Sequence, residues 1–391
     1  MAVTINSAEN VLKSVYLNVL ANQLNTNANP LLAKIKQTDA GVWGKEIIKL
    51  APYGINGGVG AGSETGALPT AGGNNYVQFK TTLKNLFGKI ELSDKAIRAS
   101  QNVAGSFVNL LNDEMEGLIN ASKFNLGRML YGDGSGLLAT ATASTETTIT
   151  VDDARNLIEG MIVDIYTGDT PAFTSKRITF VDRTTNTVHF ANLNTAVDTG
   201  AKLYVQGSKG NEITGLEAIF GEGELYGLSR ADHPWLKPYV QSESVQMDDI
   251  MLQNAIDKIE DKGGSEIDFI ACSRDVRKAY QQYLQYYRRN VDVTKLEGGA
   301  LAITFNGIPV VADKFIKDGT AYLLSTKDFA LHQLGDWTWL ESDDGKILKQ
   351  NPGYPTYSAT LVKYADLICD RPLGQAKITN ISSTVSNPYS V

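Results

Sequence analysis

Apolar and polar positions alternate through residues 76 to 83, where Val77, Phe79, Thr81 and Leu83 interleave with Tyr76, Gln78, Lys80 and Thr82. After Asn85 the segment Leu86 to Leu92 reads as a returning strand, so the pattern predicts a β-hairpin. The run ahead of it, Gly57 to Gly66, is too rich in glycine and too poor in apolar side chains to hold one conformation by itself. A two-stranded ribbon of this kind is marginal in water, because its edges leave donors and acceptors unpaired and nothing covers its faces. Adjacent copies of the chain are the expected cover.

The period then changes to three and four. Phe107, Leu111, Met115, Leu118, Ser122, Asn125 and Met129 form a stripe that Leu110, Ile119, Leu126 and Leu130 widen, with Ser106 as the expected N-cap and Gly132 to Gly136 as the stop. A helix over residues 105 to 131 would be a rod of roughly 35 to 40 Å, with Asn112, Asp113, Glu116, Lys123 and Arg128 on its open face. The same stripe fits an ordinary core helix. Its length and its glycine-rich neighbours favour a part shared between copies.

Elsewhere the pattern predicts an amphipathic arm over residues 7 to 24, a strand over 39 to 56 and a short helix over Asp94 to Ser100. Past Gly136 the texture turns to threonine, valine and aspartate. Strand signals at Thr147 to Val151, Met161 to Tyr166, Arg177 to Val181, Thr187 to Phe190 and Lys202 to Val205 predict an all-β barrel or sandwich, inserted into a loop of a parent domain. The remainder reads as an α+β body. Helices are expected over 247 to 262 and Ser273 to Arg289, and strands at Ile267 to Cys272, Ala302 to Phe305, Ile308 to Ala312, Ala321 to Ser325, Trp337 to Leu340, Thr356 to Cys369 and Ala376 to Ile381.

Composition narrows the function. At 391 residues and 42% hydrophobic content the chain can fill two or three cores, and its net charge of -7 argues against a surface that wraps a phosphate backbone. No stretch approaches the roughly 18 consecutive apolar residues of a membrane span, and the start lacks a signal-peptide pattern. Cys272 and Cys369 each lie in an apolar strand-like run and are expected as buried thiols, with a disulfide left open if those strands are neighbours.

No constellation of catalytic, cofactor-binding or metal-binding residues emerges. Gly60 and Gly62 with Thr65 miss the spacing of a nucleotide loop, and Ser135 in Gly132 to Gly136 is misplaced for a nucleophile elbow. His189, His233 and His332 are scattered, and the pairs Glu114/Glu116 and Glu222/Glu224 diverge on a helix. Tyr280, Tyr283, Tyr286 and Tyr287 beside Arg288 and Arg289 fit stacking on bases, or protein contact; the acidic balance favours protein contact.

The stretch Ile213 to Gly221, followed by Tyr226 to Arg230 and Pro234-Trp235-Leu236, resembles the segment after the long helix in major capsid proteins of tailed bacteriophages. The ending, Thr360-Leu361-Val362 through Arg371-Pro372 to Ala376 to Asn380, is similar as well. The resemblance implies the Hong Kong 97 capsid fold: an N-terminal arm and lead-in strand over 1–56, an extended loop over 57–91, a peripheral domain over 92–137 with its spine helix, an inserted β module over 138–207, the peripheral domain continued over 208–262, an axial domain over 263–349 and a peripheral strand returning to the axial domain over 350–391.

It also implies hexamers and pentamers in an icosahedral shell around double-stranded DNA held without sequence-specific binding. The shell would be a virion capsid assembled in the host bacterial cytoplasm, with a portal, a separate scaffolding protein and a decoration protein as partners. The scaffold is expected to be separate because no long helical segment precedes the arm. One branch of the family welds its subunits through a loop lysine, an asparagine and a glutamate. Here the latter two positions fall near Pro355 and Val362, so Lys80, Lys84 and Lys89 are not expected to form isopeptide bonds. An encapsulin-like compartment around cargo enzyme and an α/β enzyme with an accessory β domain are the rival readings. The stripe itself generates a prediction: Leu111→Asp buries a charge, should cost several kcal/mol, and should leave no particles by negative-stain microscopy.

Overall fold

The computed structural model describes residues 29–95, 104–262, 265–287, 293–295, 301–342 and 345–384. The helix expected over 7 to 24 lies outside them, as does the one over Asp94 to Ser100 from residue 96 onward.

One strand, Thr356–Cys369, organises the first sheet. Its apolar run Leu361, Val362, Ala365, Leu367, Ile368 and Cys369 is buried, so it must sit inside a sheet with both edges paired. Along one edge lies Lys84–Ser93, antiparallel from Thr356 opposite Ser93 to Ala365 opposite Lys84. The other edge is taken in turn by Phe329–Gln333, Thr338–Trp339 and Lys349–Gln350. Lys36–Thr38 adds a parallel strand beyond Phe329–Gln333.

The expected hairpin is not formed by the two strands flanking Asn85. Asn75–Thr82 pairs with the earlier strand Glu46–Tyr53, whereas Lys84–Ser93 pairs with Thr356–Cys369. Leu83 alone separates them and donates its N–H to Lys45 O at 2.9 Å, still within the ladder of the first pair. A single leucine supplies no turn, and Asn85 is not in the left-handed region; the chain reverses instead in the glycine-rich segment that begins at Gly54, φ 71°. The ribbon therefore occupies residues 46 to 82 rather than lying within 57 to 91.

The long helix runs Ala104–Leu130. Ser106 falls inside its first turn instead of capping it, and the side chain of Leu111 is outside the described residues. Met115, Ile119, Leu126 and Leu130 are buried. Glycines allow close approach on two sides: a Cβ on Gly88 would come within 2.8 Å of Leu118, and one on Gly127 within 2.6 Å of the Phe315 ring. Arg128 corrects the expected polar face. It is buried with Glu212, and the two make a paired fork at 2.8 and 2.6 Å.

Six strands, Leu137–Ser144, Thr148–Val151, Ile162–Thr167, Thr170–Asp182, Thr187–Phe190 and Lys202–Val205, close into a barrel. Their alternation places Ile149, Val163, Ile165, Ile178, Val188 and Leu203 inside, and closure removes exposed strand edges. The chain enters and leaves side by side, with Gly210 N donating to Ser135 O at 2.7 Å.

The second sheet has seven strands in the order Tyr239–Gln241, Ala376–Ile378, Ala321–Leu324, Phe269–Cys272, Ile308–Ala312, Leu301–Phe305 and Val293–Lys295. Period two splits its faces. Ile270, Cys272 and Leu323 join a core with helices Asp249–Asp261 and Arg274–Tyr287, while Phe269, Ala271, Tyr322 and Leu324 face the core shared with the first sheet and the barrel. Both helices thus lie on one side, joined where Tyr280 donates to Asp249 at 3.1 Å.

Two buried groups generate predictions. Arg128→Ala strands the Glu212 carboxylate and should lower stability by about 3 to 5 kcal/mol in urea unfolding, whereas Arg128→Met with Glu212→Leu should recover most of that loss. His332 is 2% exposed and donates from Nδ1 to Ala40 O at 2.7 Å, and burial pushes its pKa below the ordinary value. Once pH falls below the free value of 6.5, the unfolded chain takes up a proton that the folded one refuses. Stability should therefore decline as pH falls through 6.5, and His332→Gln should flatten the decline in the same unfolding assay.

Candidate functional site

The paired strands Glu46–Tyr53 and Asn75–Thr82 form a ribbon whose root is buried and whose far end is exposed. Ile47, Ala51 and Phe79, all on one face, are buried. They rest on the loop that follows the barrel: Phe79 lies 5.3 Å from Tyr226 and 6.1 Å from Trp235, and Tyr53 stacks on Trp235 at 5.3 Å. Lys80 N donates to Tyr226 O at 3.0 Å. Tyr226 has φ 51°, an unfavourable conformation for a bulky side chain, and is held there by its hydroxyl. That hydroxyl donates to Leu367 O at 3.2 Å and accepts from Cys369 N at 2.9 Å. Burial pushes the phenol well above its usual range, so it remains a neutral donor.

Beside it, Asp366 is fully buried and accepts from Thr214 N at 2.7 Å, Thr81 Oγ1 at 2.8 Å, Leu367 N at 3.0 Å and Thr214 Oγ1 at 3.1 Å. Burial raises its pKa, and these hydrogen bonds oppose the rise. Lys49 and Asp370 pair at 2.6 Å nearby. The base of the ribbon is therefore covered by its own chain, which corrects the expectation that neighbours supply all of its cover. The tip differs: residues 54 to 74 are exposed apart from a half-buried Gly58, and they leave Ile55, Val59 and Leu68 about nine-tenths exposed.

The loop beneath the root is tied down by polar groups. Glu217 receives Lys377 Nζ at 2.7 Å and Tyr322 Oη at 2.5 Å. Arg230, 2% exposed, donates to Ala218 O, Ile219 O and Gly221 O, closing the carbonyl end of the short helix Leu216–Phe220.

The described residues also form concavities. A cleft of about 420 Å³ separates the long helix at Leu118 to Met129, the strand at Asn85 to Lys89 and the barrel exit at Val205 to Glu212. A shallower groove of about 630 Å³ follows the sheet edge from Tyr239 to Glu243 beside Asn254, Asp257, Lys258 and Asp261.

The residues singled out in the sequence do not converge. His189 lies on the barrel by Phe180, His233 packs on Trp235, and His332 is buried in the first sheet. Glu114 and Glu116, and likewise Glu222 and Glu224, are exposed. Cys272 and Cys369 are free and buried, and burial pushes the Cys272 thiol up to about 12. Tyr280 is a core residue, Tyr283 and Tyr286 are half-buried and Tyr287 is exposed; Arg288 and Arg289 lie outside the described residues. Among the described residues no group of His, Cys, Asp or Glu is placed to hold a metal ion, and no helix is long and apolar enough to cross a membrane. Sequence patterning missed Tyr226, Asp366 and Arg128. The available signal was an acid inside the apolar run Leu361 to Cys369 and a tyrosine before Gly227.

No protein-family model and no curated protein matches the sequence. Solved structures do. The cyanophage A-1(L) capsid asymmetric unit aligns over 94% of this chain and 94% of that chain at 13% identity, with a TM-score of 0.54. An encapsulin complex from Synechococcus elongatus aligns over 100% of both chains at 10% identity and TM-score 0.47. The capsid of Myoviridae phage XM1 aligns over 90% of this chain and 91% of that chain at 10% identity and TM-score 0.45. Through the cyanophage structure, the chain is shown to have the fold of a phage capsid protein, mixed α/β and mostly sheet.

Proposed function

We propose that this chain is the major capsid protein of a tailed bacteriophage, assembling into an icosahedral shell around double-stranded DNA. The observation that carries the reading is the ribbon. Its base is fixed by stacked rings and a buried carboxylate, while its tip presents Ile55, Val59 and Leu68 to solvent with no cover from the described residues. A rigidly rooted arm with an apolar tip lowers its free energy by covering that tip on another copy, and a contact repeated by rotation closes rings and shells.

In this reading the fold is of the Hong Kong 97 type. The ribbon is the extended loop, the Ala104–Leu130 helix is the spine, and the seven-stranded sheet with its two helices is the axial domain, which extends the expected 263–349 by residues 239–261, expected as peripheral, and by Ala376–Ile378. The barrel is a module inserted between Gly136 and Gly207, and its adjacent entry and exit strands support that assignment. The work of such a protein is binding rather than catalysis. Portal, separate scaffold and decoration proteins are its proposed partners, and a virion assembled in the host cytoplasm its proposed location. Covalent welding is not part of the reading. Lys80 pairs with Glu46 at 3.1 Å, Lys89 with Glu91 at 3.6 Å, and Val362 is a packed apolar residue where the chemistry needs a carboxylate.

Expression of the full chain with negative-stain microscopy tests this. Closed shells or other multi-copy particles are expected, and trimming the tip through Ile55→Ser, Val59→Ser and Leu68→Ser should abolish them while leaving the folded monomer intact. A wild-type chain that remains a monomer at every concentration and salt overturns the proposal. Shells filled with protein instead of nucleic acid, read from the ratio of absorbance at 260 and 280 nm, would assign the chain to a cargo compartment.

A further inference from the structure

The net charge of -7 is not spread evenly. On the helix Arg274–Tyr287 the exposed positions include Arg274, Arg277, Lys278, Gln281, Gln282 and Gln285, and the helix has a single acid, Asp275. Asp275 is turned inward, accepting from Gly319 N at 2.9 Å. None of the three cations has an ion-pair partner among the described residues. The cationic face continues into aromatic surface, where the rings of Tyr283 and Tyr287 lie 4.9 Å apart and Tyr287 is 52% exposed. A face of cations, amides and tyrosines is suited to an acidic protein surface, because tyrosine and arginine supply contact area and directed donors together.

An acidic surface of that kind exists on the same molecule. The groove beside Tyr239 to Glu243 carries Glu243, Asp257 and Asp261 against Lys258, with Lys262 over the Tyr239 ring at 5.6 Å on its rim. The two features lie on one helical layer but over different parts of the sheet. Helix Asp249–Asp261 packs over Tyr239–Gln241 and Ala376–Ile378, whereas Arg274–Tyr287 packs over Ile308–Ala312 and Ile381–Ser382. No residue of the cationic helix lines the groove. Among the described residues the complementary faces therefore do not meet within one copy.

We propose that the exposed face of the Arg274–Tyr287 helix docks into the acidic groove along Tyr239 to Glu243 of a second copy, joining axial domains head to tail. The inference rests on the shell-forming function proposed above and names the surfaces that one capsomer contact uses. Because each partner contributes a different patch, the contact is heterologous and closes into a ring when the rotation permits. Exposed ion pairs add little affinity singly; their effect here is on register and on the rate of association, which falls as salt screens them beyond a Debye length of about 10 Å at 0.1 M.

Charge reversal in the full chain tests it. Arg277→Glu with Lys278→Glu, and separately Asp257→Lys with Asp261→Lys, should each reduce shell yield on the order of tenfold at low salt. All four side chains are exposed, so far-UV circular dichroism and melting of the unassembled protein should be unchanged. The fourfold variant, which exchanges the signs of both faces, should regain assembly. Double variants that assemble as the wild type does, or a fourfold variant no better than the doubles, would overturn the proposal. So would a helix variant that builds normal shells but retains less nucleic acid, which would assign the cationic face to a polyanion. Failure of the wild-type chain to form any multi-copy particle is a separate result, and it removes the shell reading itself.

Discussion

The body of this molecule depends on satisfying both edges of one fourteen-residue strand, Thr356–Cys369. A backbone buried to that extent has to find a partner for each donor and acceptor, since an unpaired buried group costs about as much as a lost hydrogen bond. Its partners come from far apart in the chain. Lys84–Ser93 fills one edge, and three short segments between Phe329 and Gln350 divide the other. The long helix then covers the face that Leu86, Ile90 and Leu92 turn inward, with Gly88 admitting Leu118 to close range.

Around that strand several of the contacts between distant segments are polar. Asp366 joins the ribbon to the loop after the barrel, Tyr226 joins that loop to the strand backbone, and Arg128 joins the long helix to Glu212. At the N-terminal side, Asn29 donates to Asp313 at 2.6 Å and Lys363, buried against Trp337, reaches Asp336 at 3.2 Å. Apolar packing tolerates sliding by a fraction of a residue; a carboxylate with four donors does not. These joints add specificity of geometry at a net energy that is modest for each one. Copies that must fit one another benefit from such fixed geometry, because an error in the angle between elements is repeated at each contact.

Much of the local structure was legible. The threonine and valine alternation marks Thr148–Val151, Ile162–Thr167, Thr187–Phe190 and Lys202–Val205 because each strand has one face in a core and one in water. The helical stripe from Met115 to Leu130 is equally plain. Pairing was harder to read. Val77 to Leu92 alternates almost without interruption, and alternation reveals a strand but not its neighbour. Only the absence of a turn residue at Leu83 distinguishes two strands in different sheets from a hairpin. Arg128 was assigned to the solvent because its partner Glu212 stands 84 positions away. Of the proposed docking faces, the tyrosine and arginine helix was visible, whereas its acidic counterpart is assembled from two segments that look like ordinary solvated charges.

The passage from ribbon to sheet through Leu83 has a mechanical consequence. Because the chain does not fold back there, tension applied at the tip runs along the axis of Lys84–Ser93. It loads the ladder to Thr356–Cys369 lengthwise, so its many hydrogen bonds resist together. A hairpin turning at Asn85 would instead be peeled open one rung at a time. The direct connection lets a slender arm pass force into a long ladder of the first sheet.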